Sequence, residues 1–308
     1  MKSIIKNVIL TLVLLIFMLN INIVINSTKE ATLLFLNKIF ISIFPFIILC
    51  DILIYFDYHI FLKRIFGKFL SKIFNIDSSC SIIFILSLLT SSPANSIYIK
   101  SMLDKKQIDI ETANKILNFT YFPSISFTIG TIGILMYKSF KFGLFLWLFC
   151  LLNNILIGIF MRKENTTTFD IIDERKINFF EVLKKSFIKG IKTSITILGN
   201  LIIFTIILNI INKYFTFNKV FYSIFSGFIE LTSGITYVNK LNISLIYKFI
   251  LTFFILSFNS LSVIFQSLSI LSNYKINIKK TLIVKLMFSL ILSILMILIK
   301  DWLSLIIL

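Results

Sequence analysis

Apolar runs long enough to cross a membrane recur from one end of the sequence to the other. A transmembrane helix needs about 20 apolar residues. Of the 308 residues, 57% are hydrophobic, whereas a soluble domain averages about 45–50%. Only helices and closed barrels satisfy their backbone polar groups inside a bilayer. Because these runs are continuous rather than alternating, the sequence predicts an all-α polytopic membrane protein.

Four of the apolar runs are interrupted by polar residues, proline or glycine. The interruptions are LLTSSPANSIYIK (88–100), FPSISFTIGTIG (122–133), GFIELTSG (227–234) and SFNSLSVIFQS (257–267). Irregular backbone at membrane depth is tolerated only where it is buried in protein or lines a wet cavity. We predict that the first and third interruptions are tips of re-entrant hairpins, and that the second and fourth break two helices.

The order of these features repeats along the chain. Residues 34–161 and 180–299 each contain a hairpin, a broken helix and a clean span. With a cytoplasmic N-terminus, the parts predicted to be cytoplasmic are 1–6, 57–78, 100–116, 162–192 and 272–285. They hold 22 of the 31 Lys and Arg residues, which agrees with the positive-inside rule. The hairpins then enter from opposite sides, which predicts an inverted repeat, an architecture of transporters.

The repeat divides the chain into four parts. These are an extra N-terminal transmembrane helix (1–30), a first repeat (31–161), a cytoplasmic linker (162–179) and a second repeat (180–308). The uninterrupted spans are expected at 8–25, 34–55, 142–161, 195–211 and 282–299. The stretch HIFLKRIFGKFLSKIFNI (59–76) has apolar residues at helical spacing and predicts an amphipathic helix in the interface plane.

Several function classes find no support in the sequence. The net charge is +17, but the Lys and Arg residues are concentrated in the loops predicted to be cytoplasmic. This sequence shows no soluble domain with a basic stripe, so nucleic acid is not an expected partner. Cys50, Cys80 and Cys150 are scattered in apolar surroundings, which argues against a disulfide framework and a zinc site. His59 is the only histidine, and no nucleotide-binding or metalloprotease motif occurs. We expect no enzyme, no cofactor and no metal.

Polar side chains at the four interruptions are the predicted substrate ligands. Half-helix ends together with hydroxyl and amide groups can bind a polar ligand inside a membrane. For any single serine, a hydrogen bond between packed helices is the simpler interpretation, but four clustered interruptions favour a site. The residues are Ser91, Ser92, Asn95, Ser96, Ser124, Ser126, Thr232, Ser233, Asn259, Ser260, Ser262 and Gln266.

Two acids within apolar segments are the predicted ion-coupling residues. Glu230 lies in the second hairpin tip, where it can bind a proton, a cation or a donor on the substrate. The alternative is a structural pair with a lysine or a position near the surface. Asp51 lies near the cytoplasmic end of its span and is either an interface residue or a cavity residue.

The same segments carry a resemblance to a known family. The order FPFIIL, SSPANSIYIK, ETANKILNFTYFPSISFTIGTIG, GFIELTSG and SFNSLSVIFQS resembles the YlbJ-type, or SpoVV-type, sporulation membrane proteins of the nucleoside-recognition (Gate) domain group. The resemblance covers nearly the whole chain after the first helix. Its motifs fall on 92–96, 123–133, 227–234 and 257–266.

The resemblance implies a transporter of dipicolinic acid, a small aromatic dianion, across the outer forespore membrane that derives from the mother cell. Half-helix amides, serines and asparagines suit a carboxylate, and Lys100 can attract the anion at the cytoplasmic mouth. A nucleoside-type transporter and a non-transporting spore membrane assembly protein stay open as alternatives. Membrane lipid, a second copy of the chain and other spore membrane proteins are the remaining partners to consider.

Overall fold

The computed structural model describes residues 2–56, 58–163, 178–215 and 217–307, and helices make up most of this part of the chain. The α-helices are α1 (Lys2–Leu19), α2 (Ile21–Leu34), α3 (Ile41–Tyr55), α4 (Tyr58–Phe74), α5 (Ser78–Thr90), α6 (Ala94–Asp104), α7 (Ile110–Phe119), α8 (Phe140–Phe160), α9 (Phe179–Tyr214), α10 (Lys219–Ile229), α11 (Leu231–Lys240), α12 (Leu245–Phe258), α13 (Leu261–Ile270), α14 (Ile278–Leu298) and α15 (Lys300–Ile307). Two wider, π-helical segments span Phe35–Phe40 and Ser126–Met136.

Five helical runs in the described part of the chain are long and apolar enough to cross a membrane. They are Ile21–Tyr55, Phe140–Phe160, Phe179–Tyr214, Leu245–Ile270 and Ile278–Leu298. The protein is therefore an all-α polytopic membrane protein, as the sequence predicts. The predicted linker 162–179 lies mostly outside the described residues.

The first two spans differ from their predicted limits of 8–25 and 34–55. Helix α1 ends at Leu19, and one helical run then continues from Ile21 through the π-helical segment to Tyr55. The polar stretch NSTKE (26–30) reads as a loop but is helical, because its side chains have polar partners. Ser27 accepts a hydrogen bond from Asn209 at 2.9 Å, and Glu30 pairs with Lys240 at 3.3 Å.

The run 21–55 packs along α9 as a long antiparallel pair. Lys213 of α9 donates to Asn20 (2.8 Å), and Ser186 donates to Asp51 (2.8 Å), so the two helices contact each other along nearly their full lengths. At 1.5 Å per residue each is about 50 Å long, which exceeds the roughly 30 Å hydrocarbon core. Each of the two helical runs is therefore longer than the apolar layer is thick.

The bundle has two ends, and the two hairpins open at different ones. At the first end, Tyr274 donates to Asp104, the last residue of α6 (2.5 Å), and Asn75 before α5 donates to the carbonyl of Arg162 (3.2 Å). At the second end, the exit of α11 meets α2 through the contact of Lys240 with Glu30. Hairpin α5–α6 thus opens at the first end and hairpin α10–α11 at the second.

The two halves contain the same elements in the same order. Helices α5, α6, α7, the second π-helical segment and α8 correspond to α10, α11, α12, α13 and α14. Helix α6 packs on α7 as α11 packs on α12, and α7 contacts α14 as α12 contacts α8. Helix α8 ends at the first end and α14 begins there, so these equivalents run in opposite directions. This arrangement is an inverted repeat.

A buried polar layer separates two apolar clusters. One cluster contains Phe142, Phe249 and Phe253, and the other is built on Phe74 and Phe119. Along α8, residue 150 belongs to the first cluster and residue 157 to the second, so the asparagines at 153 and 154 lie between them. Protein interiors place polar groups at such depth only with partners or a function.

Helices α10 and α11 cross at a point of backbone contact. A methyl group on Gly234 would lie 2.2 Å from the Cα and 2.4 Å from the amide nitrogen of Gly227. No side-chain rotation can relieve such a contact, because both atoms belong to the backbone. The hairpin therefore needs glycine at this crossing, much as close helix pairs in membranes need small residues.

We expect Gly234→Ala to lower the unfolding free energy by about 3 kcal/mol, the upper part of the range for overpacking, because the two helices must separate. Gly199→Ala on α9 is the matched control, since a methyl group there meets no atom within 4 Å. Thermal melting in detergent would measure both variants. Equal melting temperatures for the two would show that the hairpin is not packed as described.

Candidate functional site

The two helix breaks and the first hairpin tip meet at two consecutive carbonyl groups. The Tyr121 carbonyl accepts hydrogen bonds from Asn154 Nδ2 (2.8 Å) and Asn259 Nδ2 (3.2 Å). The neighbouring Phe122 carbonyl accepts one from the amide of Ser92 (2.9 Å). We call this region, residues 91–96, 120–126 and 257–262 with Asn154, the central junction. It joins three of the four predicted interruptions.

The first hairpin tip forms because the chain cannot continue helix α5. Ser91 has a φ of 66°, in the left-handed region, and its amide donates to the Ser87 carbonyl (2.8 Å). Pro93 then precedes α6, whose N-terminus has no side-chain cap. Helix N-termini carry unpaired amides and the positive end of the helix dipole. The start of α6 therefore presents positive potential to the central junction.

Three predicted ligands at this tip have polar atoms without a partner. Ser92 Oγ, Asn95 Oδ1 and Ser96 Oγ are buried and accept or donate no hydrogen bond among the described residues. Asn95 uses its other polar atom, Nδ2, to donate to Thr120 Oγ1 at 3.3 Å. Because buried polar groups in proteins are nearly always paired, these three atoms have unused hydrogen-bonding capacity.

The second helix break has the same character. Asn259 and Ser260 both have positive φ values, 68° and 43°, and they separate α12 from α13. Helix α13 also begins without a side-chain cap. The Ser260 and Ser262 hydroxyl groups bond each other at 2.9 Å, and both residues are buried. The break thus supplies a second uncapped helix N-terminus at the junction.

Helices α6 and α13 lie side by side and point in the same direction. Their N-termini meet at the central junction, and their outer ends are joined where Tyr274 donates to Asp104 (2.5 Å). Lys100, predicted at the mouth, pairs with Asp104 at 2.7 Å. The bonds from Lys100 and Tyr274 hold the pKa of Asp104 below its usual value, because both favour the charged carboxylate. Because α6 and α13 both begin at the central junction, the positive ends of their dipoles converge on one buried region.

Glu230 caps a helix in the second hairpin. Its carboxylate accepts hydrogen bonds from the amides of Thr232 (3.0 Å) and Ser233 (2.6 Å), which begin α11. It is 7% exposed, and no lysine pairs with it within the described residues. Glu230 is therefore a helix cap in the structure, and its ion-coupling role stays a prediction. The hairpin reaches the central junction through ring contact of Phe228 with Phe258 at 4.7 Å.

The remaining predicted ligands have local roles or lie to the side. Ser124 Oγ accepts from the amide of Phe127 (3.1 Å) and from Ser126 Oγ (3.3 Å), so both serines support the start of the π-helical segment. Ser233 Oγ bonds Thr205 Oγ1 at 3.2 Å, which ties the second hairpin to α9. Gln266 is half-buried on α13, beyond the first turn of that helix.

Asp51 forms a structural ion pair rather than a contact with the junction. Its carboxylate accepts from Ser186 Oγ (2.8 Å) and from the ammonium of Lys189 on α9. The neighbouring Cys50 thiol contacts the carbonyl of Leu89, so the pair lies beside the first hairpin tip. The ion-coupling role assigned to Asp51 from sequence stays a prediction.

Sequence reasoning misses two residues, Asn154 and Lys285. The sequence favours a packing role for Asn154, yet its side chain holds the Tyr121 carbonyl. The predicted topology counts Lys285 among the cytoplasmic cations, yet it is fully buried within α14, and its ammonium lies 3.4 Å from Asn154 Oδ1. The signal is present in TLIVKLMFSLIL, where the lysine interrupts an apolar run.

Removing one or the other member of the Asp51–Lys189 ion pair should have unequal effects on stability. The Asp51 side chain is 5% exposed and that of Lys189 is 47% exposed. Lys189→Ala leaves a buried carboxylate without its cation and should cost about 3 kcal/mol of stability. Asp51→Asn leaves a solvated lysine and should cost less, and the double variant should recover most of the loss. Thermal melting of all three in detergent tests the order. A larger loss for Asp51→Asn would contradict the unequal burial of the two partners.

Comparison with known proteins supports the resemblance predicted from the motifs. The chain is similar to the sporulation integral membrane protein YlbJ of Bacillus subtilis (strain 168), with 22% identity over 300 residues, which cover 85% of this chain and 74% of YlbJ. No protein-family model matches the chain, and no solved structure matches it. The predicted likeness to the YlbJ-type sporulation membrane proteins is confirmed.

Proposed function

We propose that the protein is a transporter of a small anionic metabolite, and that its substrate is dipicolinate. The observation that carries this proposal is the central junction, where the uncapped N-termini of α6 and α13 converge on buried polar atoms without partners. Backbone amides at helix N-termini are ready-made sites for carboxylates and phosphates. Irregular backbone at membrane depth is the form that such sites take in transporters.

The charge of the junction favours an anion over a cation or a neutral solute. Within the described residues of the junction, the polar side chains are neutral serines, threonines and asparagines, and no carboxylate is among them. Helix dipoles contribute the equivalent of about half a positive charge at each N-terminus. A nucleoside site would instead be expected to offer carboxylates for the ribose hydroxyl groups, and none lies among the described residues of the junction.

The fold supports movement of the bound anion between the two ends of the bundle. The site lies between two halves of opposite orientation, and each half contributes a hairpin that opens at one end. Rocking of one half against the other around a fixed central site is the usual mechanism of inverted-repeat transporters. The closed contact between Tyr274 and Asp104 then corresponds to a state shut at the first end.

The biological setting of the proposal comes from the similarity to the sporulation protein YlbJ. Dipicolinate carries two carboxylates on a small aromatic ring, which suits two convergent helix N-termini. We place the protein in the outer forespore membrane, where it moves dipicolinate from the mother cell to the intermembrane space. An assembly protein without flux would have no need for paired helix ends with unpaired polar groups between them.

The direct test is uptake of radiolabelled dipicolinate into liposomes that contain the purified protein. We expect Asn95→Asp to reduce uptake at least about tenfold, because a second carboxylate of the same shape repels the anion. Ser101→Ala on the exposed side of α6 is the control and should transport like the wild type. Thermal melting would establish that both variants fold.

Each other outcome of the liposome assay has a distinct meaning. Uptake of uridine in place of dipicolinate by the wild type would favour a nucleoside transporter. No uptake of either solute by folded protein would favour an assembly role. Wild-type uptake that Asn95→Asp leaves unchanged would place the anion somewhere other than the central junction.

Glu230 is proposed as the residue that couples transport to a proton. Its carboxylate is buried at the second hairpin tip, and protonation would weaken its bonds to the amides of Thr232 and Ser233. We expect Glu230→Gln to slow net uptake driven by a pH gradient about tenfold or more while exchange of internal for external dipicolinate continues. Equal loss of both activities would indicate that Glu230 is only a structural cap.

A further inference from the structure

Lys285 is a fully buried cation beside the central junction. It lies in the second turn of α14, and both apolar clusters extend along that helix on either side of it. Its ammonium contacts two groups, Asn154 Oδ1 at 3.4 Å and the face of the Tyr121 ring, whose centroid is 4.7 Å away. Within the described residues no carboxylate pairs with it.

Other charged groups deep in this protein have compensating partners. Asp51 pairs with Lys189 and Ser186, and Glu230 accepts from two helix amides. Lys115, the other fully buried lysine, donates to the carbonyl of Asn75 at 3.1 Å and has further partners. Burying an ammonium is unfavourable unless an opposite charge or several hydrogen bonds compensate. Lys285 has one long hydrogen bond to a neutral amide and one contact with a ring face. These two contacts do not compensate for the burial of its ammonium group.

The two contacts of Lys285 are also the two residues that organise the junction. Asn154 holds the Tyr121 carbonyl, and Tyr121 continues into Phe122, whose carbonyl holds the first hairpin tip. The Tyr121 ring lies against the ammonium, and its buried hydroxyl has no hydrogen-bond partner among the described residues. Lys285 is therefore linked through Tyr121 to the backbone that holds the first hairpin tip, and its protonated form adds a positive charge to those of the helix ends.

We propose that Lys285 contacts the substrate and makes the site selective for dianions over monoanions. This inference rests on the proposed anion transport and names the substrate class. One carboxylate is compensated by the N-termini of α6 and α13, whose combined dipole charge is about one positive unit. The second carboxylate is compensated by Lys285. A monocarboxylate gains only one of these interactions and leaves the lysine undercompensated.

The experiment compares dipicolinate with picolinate, which has the same ring and a single carboxylate, in liposomes with the reconstituted full chain. For the wild type we expect kcat/KM to favour dipicolinate at least about tenfold. Lys285→Gln should lower that preference about tenfold or more, because the charge that distinguishes the two solutes is lost. Lys285→Arg keeps the charge and should retain most of the preference. Lys279→Met removes a charge from the exposed start of the same helix and should change nothing.

The outcomes separate this inference from the proposed function. If the wild type takes up neither solute, anion transport itself is wrong. If it transports dipicolinate and Lys285→Gln keeps the full preference, the lysine is structural and the inference fails. If the Lys285 variants do not fold, wild-type protein labelled with ¹⁵N-lysine replaces them. The ¹⁵Nζ resonance of the buried lysine should then shift with dipicolinate, and no shift at saturating dipicolinate overturns the inference.

Discussion

The carbonyl group of Tyr121 is the point on which the arrangement of the bundle depends. Broken helices expose carbonyl and amide groups at a depth where water does not reach, and each such group must find a partner in the protein. Asn154 of α8 and Asn259 of the other helix break both donate to this oxygen. One carbonyl thus holds together elements of both repeats, and the adjacent carbonyl of Phe122 adds the first hairpin tip. The hydrogen bonds that satisfy these backbone carbonyl groups are therefore the same ones that assemble the site.

This mode of assembly also accounts for the positive character of the site. The amides that the breaks release belong to helix N-termini, whereas the carbonyl groups that they release are bonded by asparagines and by the backbone. The helix ends that face the centre are therefore the N-termini of α6 and α13, and at the start of α6 the amides of Ala94 and Ser96 bond the carbonyls of Ser91 and Pro93. The protonated form of Lys285 adds to the positive charge of the site, and no acid in the described chain pairs with it. A protein that must bind an anion out of water gains from such preorganised donors, because they need not reorganise when the ligand arrives.

The sequence predicts the helix class, the four interruptions and the inverted repeat, because these follow from strong local signals. A proline among serines stops a helix at membrane depth, and two glycines that bracket an acid mark a second such break. Tertiary contacts decide the rest. The polar stretch 26–30 reads as a loop, yet α9 and α11 supply partners that keep it helical. Lys285 is counted as a cytoplasmic cation, because the sequence does not show that this position, near the start of the predicted span 282–299, is buried against α8. The sequence indicates only a packing role for Asn154, since its hydrogen-bond partner is a carbonyl 33 residues away in the chain.

A comparison of the two hairpin tips gives the strongest argument for what the site binds. The tips occupy equivalent positions in the repeat, and each places the N-terminus of a short helix deep in the bundle. In the second hairpin that N-terminus is occupied by the chain's own carboxylate, since Glu230 accepts from two amides of α11. In the first hairpin the equivalent position is Pro93, whose side chain has no polar atom to cap α6, and the Asn95 Oδ1 and Ser96 Oγ atoms that follow are buried and unpaired. Glu230 therefore shows that a hairpin tip of this fold accommodates a carboxylate at its helix N-terminus. An external carboxylate is the group that would make the two halves chemically alike.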